Sequence, residues 1–228
     1  MRILAAVAVV FGLTSVVRAA DSDLVPSNLP ADQKANLLKF LKEHEKPDRF
    51  VPQGAKVVRP PAAPEEPLPD VPVPPNTTVK QYTVQIMSHR PVPDRPEPKR
   101  VDVYYYRPNP TQGKPGITVK HTVDLTTGQQ VGDTEVLVNH HTPISREELA
   151  EAVKLAREKA PAVRDLYTGR EDNGVRWEYL QLMISKKSEA YEPGDRVVRV
   201  VFSPAEGAAT PVRVMVNLTK GTVEADNR

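Results

Sequence analysis

Alternating apolar and polar residues predict strands in the C-terminal part of the chain. The segment 175–185 has this alternation and is rich in aromatic and branched residues, which is typical of a strand. Further strands are predicted at 196–202 and 211–218, with a short last strand at 222–225. Gly221 lies between the last two strands, where glycine can take the positive φ that a tight hairpin needs. These segments predict an antiparallel meander.

An amphipathic helix is predicted directly before these strands. Ser145 and Glu148 have the spacing of a capping box, in which each side chain bonds the backbone N–H of the other residue. Apolar residues then recur at helical spacing up to Ala160, and Pro161 is expected to end the helix. This half of the chain therefore predicts one helix packed on a four-stranded sheet.

The same pattern of strands occurs earlier in the chain. Residues 79–108 align without a gap onto 175–204 at an offset of 96, which pairs Tyr106 with Phe202. An internal repeat of this length indicates two structural units of one kind. The strands predicted for the first unit lie near 79–88, 101–107, 117–125 and 129–138.

The repeat continues past one hairpin. Residues 119–128 align with 212–221 at an offset of 93, and both segments read V-x-x-x-V-[DN]-L-T-x-G. Asn217, which starts a glycosylation pattern as Asn76 also does, aligns with Asp124 at the start of the hairpin. A role in forming the turn therefore explains Asn217 without a glycan.

The helix of the first unit is displaced upstream. Leucines between residues 29 and 41 match apolar residues between 144 and 156 at an offset of 115, and 115 minus 96 is 19 residues. Those 19 residues correspond to the segment 59–77, whose eight prolines favour an extended linker. Two interpretations stay open: the helix within 29–45 belongs to the first unit, or it is a free-standing amphipathic helix.

A helix followed by a four-stranded meander, present twice, resembles the cystatin-like domains that precede the catalytic domain of copper amine oxidases. The resemblance rests on 142–149 and 160–167 at the ends of the helix, and on 119–128 and 131–140 around the hairpin. It covers roughly 79–228, or from 29 with the upstream helix. It implies an α+β fold of two tandem cystatin-like repeats, each a helix packed on a four-stranded antiparallel meander.

The resemblance also implies a function without catalysis. In that family the chemistry belongs to a later domain, which carries a tyrosine-derived quinone and three histidines that bind copper. No residue here matches those positions, so no catalytic role and no cofactor is expected. The implied protein is an accessory subunit or scaffold that binds a protein partner, for example an amine oxidase catalytic chain, through its sheet face or edge loops.

The first residues predict export. Arg2, an apolar run over 3–17 and a small-residue exit are typical of a cleaved signal peptide. We therefore expect a secreted or periplasmic protein without a membrane anchor after cleavage. The predicted organisation is a signal peptide (1–19), an N-terminal segment with an amphipathic helix (20–58), a Pro-rich linker (59–78), a first β-meander repeat (79–140) and a second helix plus meander repeat (141–228).

Composition excludes some classes of function. The chain has no cysteine, so an exported form must be held by its core rather than by disulfides. Removing residues 1–19 takes away Arg2 and Arg18, which leaves 29 basic and 29 acidic residues. Because a neutral chain lacks the charge that binds phosphates, no nucleic-acid partner is expected.

Catalytic and metal-binding patterns are weak. His140 and His141, with His121 on a preceding strand, form the nearest approach to a metal site. Adjacent residues of a strand point to opposite faces, so we expect no shared ion there. The chain has no G-x-S-x-G motif and no Cys-His pair. A metal-binding enzyme is therefore only the third interpretation.

Features that differ between the two copies are the candidates for an interaction surface. They are the Pro-rich loop at 91–98, the run of three tyrosines and the pair of histidines. For the tyrosines, packing in the core or between repeats is the alternative to an exposed binding platform. The candidate residues are Arg95, Tyr104, Tyr105, Tyr106, His140 and His141.

A secreted inhibitor-like or peptidase-associated cystatin-fold module is the second interpretation. Such a module needs an exposed hairpin that enters a protease cleft. The hairpin at 126–130 is short and polar, and the chain lacks a Gln-x-Val-x-Gly loop there. The accessory binding protein is therefore preferred.

Overall fold

The computed structural model describes residues 23–59, 79–89, 99–138, 140–169, 174–184, 188–205 and 210–226. The predicted signal peptide, nearly all of the predicted linker, Asn76 and the loop with Arg95 lie outside these ranges. The fold is mixed α+β, as predicted. The helices are α1 (Ala31–Glu43), α2 (Arg146–Lys159) and α3 (Pro161–Tyr167). The strands are β1 (Lys56–Val58), β2 (Tyr82–Ser88), β3 (Arg100–Arg107), β4 (Ile117–Asp124), β5 (Gln129–Gln130), β6 (Glu135–Leu137), β7 (Val175–Met183), β8 (Arg196–Pro204), β9 (Val212–Asn217) and β10 (Thr222–Ala225).

The strands form two sheets. The second sheet has the order β10-β9-β8-β7 and is an antiparallel meander, as predicted. The first sheet has six strands in the order β1-β6-β4-β3-β2, with β5 also on β4, so the prediction of four strands is wrong there. The predicted strand 129–138 divides into β5 and β6, which pair with different parts of β4. β1, which no sequence pattern indicated, runs parallel to β6.

Helix α1 packs on the first sheet. Leu37 and Phe40 are buried in one cluster with Val103 and Tyr105 of β3. The side-chain amide of Asn36 donates to the carbonyl oxygens of residues 125 and 126, at 3.0 and 2.9 Å, beside the β4–β5 hairpin. The upstream helix therefore belongs to the first sheet and is not free-standing.

Helix α2 packs on the second sheet and starts as predicted. The Ser145 hydroxyl accepts from the Glu148 N–H at 3.1 Å, and the Glu148 carboxylate accepts from the Ser145 N–H at 3.0 Å. Ala152 and Ala156 are fully buried against β8 and β9. Pro161 ends α2, as predicted, but it is also the first residue of α3. Proline is favourable there because an N–H at the first helical position would have no partner within the helix.

Strand pairing corrects the alignment of the two units. Val103 and Tyr105 of β3 face the core of the first sheet, whereas Val200 and Phe202 of β8 face the core of the second. β3 therefore corresponds to β8 at an offset of 97 and not 96, and Tyr105, not Tyr106, is the counterpart of Phe202. A shift of one residue turns a strand's side chains to the opposite face of the sheet. Tyr106 accordingly points away from the core of its own sheet.

The match of the two hairpins holds at the predicted offset of 93. Gly128 and Gly221 both have positive φ, at 70° and 64°. The Asp124 carboxylate accepts from the Thr126 N–H at 2.8 Å, and the Asn217 side-chain oxygen accepts from the Lys220 N–H at 3.1 Å. Asn217 is only 2% exposed, which supports its role in the turn.

Candidate interaction surface

The predicted interaction residues lie in different environments. Tyr105 is 1% exposed in the core, and Tyr106 is 7% exposed against the C-terminal half. Tyr104, on the opposite face of β3 from Tyr105, is partly exposed and its ring stacks on that of the exposed His140, with centroids 5.9 Å apart. Tyr105 and Tyr106 therefore have the packing role that was the alternative to an exposed platform. Of the candidate residues that the structure describes, Tyr104, His140 and His141 remain partly or fully exposed.

His121 is separate from His140 and His141. Its ring contacts Phe40, His44 and Tyr105 within the first half. Burial lowers the pKa of His121 to about 4, and burial also lowers the pKa of both His140 and His141. Among the described residues, no group of three His, Cys, Asp or Glu side chains is placed to hold a metal ion.

Arg196, at the start of β8, joins the two halves. Its guanidinium lies over the ring of Tyr106, 4.0 Å from the centroid. It forms a bidentate ion pair with Glu148 at 2.7 and 2.8 Å and donates to the carbonyls of Thr142 and Pro143. A further bond to the Thr142 hydroxyl at 3.2 Å occupies the last of its five N–H groups. Arg196 therefore has no free donor for a ligand and acts as a structural residue.

Glu148 takes part in two contacts, the cap of α2 and the ion pair with Arg196. Its carboxylate completes the capping box of α2 and also binds Arg196. Both side chains are buried, at 3% and 6% exposure. Burial of such a pair is tolerated because charge-assisted bonds satisfy both groups. The start of α2 is thus fixed to β8, and Gln181 of β7 adds bonds to residues 142 and 144 at 2.7 and 3.0 Å.

A cleft of about 430 Å³ lies between the two halves. Tyr82 and Tyr106 line it from the first half, and Glu151, Leu155 and Lys159 from α2. Burial raises the pKa of Tyr82, with Glu151 adding to the effect, and raises that of Tyr106 to about 12. Both phenols therefore stay protonated at neutral pH.

Among the described residues, the most exposed large apolar side chains lie on β7, the edge strand of the second sheet. Four of its side chains are more than two-fifths exposed: Trp177 (41%), Tyr179 (51%), Leu180 (54%) and Met183 (68%). Within the described residues no strand pairs with the outer edge of β7. Contiguous exposed apolar residues at a sheet edge mark interaction sites, since monomers usually protect such edges.

The backbone of β7 also presents bonding groups to solvent. The N–H of Ala205 donates to the carbonyl of Gly174 at 2.9 Å, in the register that pairs Val175 with Pro204. Bonded and non-bonded pairs alternate in an antiparallel ladder. The N–H and C=O groups of Trp177, Tyr179 and Gln181 therefore point away from β8. This open edge of β7 (residues 175–183) is the candidate interaction surface.

The sequence contains a signal for this surface that the prediction of strands from alternation did not use. Tyr179 and Leu180 are adjacent, so large apolar residues occupy both faces of β7. A strand with one solvent-facing side needs apolar residues on one face only. The excess on the second face indicated either a second covering layer or an exposed patch.

Comparison with known proteins does not assign the chain to a family. No protein-family model matches it, and no curated protein matches it. In the part of the chain that the structure describes, no helix has the length and apolar character needed to cross a membrane.

Proposed function

We propose that the protein is an exported, non-catalytic binding protein that docks a protein partner along the open edge of β7. Its two halves would be tandem cystatin-like repeats, similar to the N-terminal domains of copper amine oxidases. The row of exposed apolar side chains on an unpaired edge is the observation that carries the proposal. An added strand would bond the outward backbone groups and cover these side chains, which is the usual form of strand addition.

The chemistry of the described residues supports binding over catalysis. The guanidinium of Arg196 is fully bonded, and Tyr82 and Tyr106 hold their protons. His121 lies apart from the other two histidines of the proposed metal-enzyme alternative. The inhibitor alternative is less favoured, because Asn36 of α1 bonds the carbonyls of residues 125 and 126 and so ties the β4–β5 hairpin to the helix.

Site-specific photo-crosslinking in the producing cells tests the proposal. A photoreactive phenylalanine replaces Met183 on β7 in one variant and Glu158 on α2 in a control, since both side chains are exposed. We expect covalent protein adducts from position 183 and none from position 158. Equal adducts from both positions, or none from 183, would overturn the proposal. An amine oxidase catalytic chain in the adduct would support the accessory-subunit form that the resemblance implies.

A further inference from the structure

We infer that the strand that covers the open edge of β7 is β7 of a second copy of this chain, running antiparallel. The two four-stranded sheets would then join into one sheet of eight strands. The inference rests on the proposed binding function and specifies the partner. The length of β7 and the direction of its backbone groups support self-pairing, and its charges allow it.

The backbone of β7 is suited to pairing with itself. β7 has nine residues, Val175–Met183, and its middle residue is Tyr179. The outward-pointing residues are the odd-numbered ones, as the bond between Gly174 and Ala205 establishes. A two-fold axis at Tyr179 therefore places outward residue opposite outward residue along the whole strand. Such an isologous contact closes on itself and leaves no β7 edge open.

The side chains on the helix side of the sheet match in this register. Tyr179 lies opposite Tyr179 of the second copy, and Trp177 lies opposite its Gln181. Trp177 is also diagonal to Tyr179 of the second copy, within reach of an aromatic side chain. The contact would cover rings that are 41% and 51% exposed in the single chain. Aromatic residues at the centre of a contact are the usual anchors of interfaces.

The charges on the opposite face allow the same register. Arg176 lies opposite Leu182 of the second copy, and Glu178 lies opposite its Leu180, so no like charges are directly opposite and the two Glu178 side chains are diagonal neighbours. Shifting the axis by one residue toward the N-terminus would place Glu178 directly opposite Glu178, which is destabilising. Shifting it by one residue toward the C-terminus would leave Val175 and Arg176 without partners.

The first sheet has two edge strands, of which β1 has only three residues and β2 is a poorer candidate than β7. On β2 the exposed large apolar side chain is Met87, at 48%, and the remaining β2 residues before it are buried or partly buried. Tyr82, the first residue of β2, lines the cleft between the halves and is therefore partly covered by α2. Self-association is thus expected at β7 and not at β2.

Sedimentation velocity on the mature full chain at micromolar concentration is the first test. We expect a dimer for the unmodified chain and a monomer for Tyr179→Lys, which brings two ammonium groups together at the axis. Met87→Lys, the matched control on β2, should remain dimeric. Circular dichroism identical to that of the unmodified chain would show that both variants fold. A monomeric unmodified chain, or a dimer that survives Tyr179→Lys, would overturn the inference.

Disulfide trapping tests the register, since the chain has no cysteine of its own. Under mild oxidation Tyr179→Cys should form a covalent dimer and Met87→Cys should not. Failure of Tyr179→Cys to cross-link faster than Met87→Cys would overturn the proposed register. Failure of this inference differs from failure of the proposed function: a monomeric chain whose position 183 still cross-links to another protein loses only the self-pairing.

Discussion

The two halves of the protein share a frame, a helix packed on a mainly antiparallel sheet, but stabilise it differently. In the first half, large side chains such as Phe40 and Tyr105 fill the space between helix and sheet. In the second half, Ala152 and Ala156 provide the contact, and the buried pair of Glu148 and Arg196 fixes the start of the helix. The second half therefore adds a satisfied charge pair to its apolar core.

This difference determines which sheet edge stays open. Helix α2 packs mainly on β8, β9 and β10. The aromatic rings of β7 on the helix side consequently remain exposed. In the first half, the corresponding edge strand β2 has a buried or partly buried N-terminal part. The half with the smaller core thus provides the candidate interaction surface.

Removing the carboxylate of the buried pair should have the largest effect on stability. We expect Glu148→Ala to lower the free energy of unfolding by about 3–5 kcal/mol, because Arg196 keeps a buried charge without its partner. Urea titration followed by the fluorescence of Trp177, the one tryptophan, measures the change. Glu158→Ala, in an exposed pair with Lys154, should cost under about 1 kcal/mol. Equal losses would mean that the charge pair does not hold the second half.

Acid should weaken the first half through His121. Burial lowers its pKa to about 4 from 6.5, so the unfolded chain takes up the proton first. Above about pH 6.5, His121 does not reduce the free energy of unfolding. As the pH falls from 6.5 toward 4, this free energy decreases by up to about 3 kcal/mol. His121→Phe, which keeps the ring but cannot titrate, should remove this part of the pH dependence. Urea titrations at several pH values measure it, and parallel profiles for the two proteins would contradict the prediction.

Loss of the bonds between α1 and the β4–β5 hairpin should have a moderate effect. Asn36→Ala removes two donated bonds, and we expect a loss of about 1–2 kcal/mol. Hydrogen exchange should increase in α1 more than in α2. Lys39→Ala, at a side chain that is 76% exposed, is the control and should change exchange in neither helix. Equal changes in both helices would show that the halves do not unfold separately.

Changes on the open edge should affect stability least. Met183→Ser should alter the free energy of unfolding by under about 0.5 kcal/mol when measured on the dilute monomer, because the side chain is 68% exposed. Val200→Ala, at the buried position that pairs with Tyr179, should cost about 2 kcal/mol. A large loss from Met183→Ser would mean that β7 contributes to the core and is not a free surface.

Local patterns predicted much of the second half and less of the first. The capping box of Ser145 and Glu148, the meander and the glycine turns follow from neighbouring residues, and the structure confirms them. β1 was missed because it has three exposed residues and no alternation. The division into β5 and β6 was missed because the two strands pair with different ends of β4: β5 pairs with residues 123–124 and β6 with residues 118–120. Pairing of this kind depends on the position of the partner strand, which no local pattern contains.

The candidate surface was predicted only in part. The run of three tyrosines showed that aromatic rings lie on both faces of β3, but it did not show which ring is buried. Consecutive apolar residues fit either register, and only the pairing with β4 and β2 determines it. The bond pattern then places Tyr105 in the core and Tyr106 beneath Arg196, while the exposed aromatic residues lie on β7.

By itself, the sequence determined the elements that depend on neighbouring residues: the start of α2, the turns and most of the repeated strands. The tertiary structure decided three properties that depend on distant residues: the register of β3, the pairing of Arg196 with Glu148 and Tyr106, and the exposure of β7. The physical reason is that a side chain is buried, and a strand is hydrogen-bonded, only when a second element packs or pairs with it. A strand's own residues specify two faces, but the neighbouring helix and strand determine which face and which edge remain in contact with water.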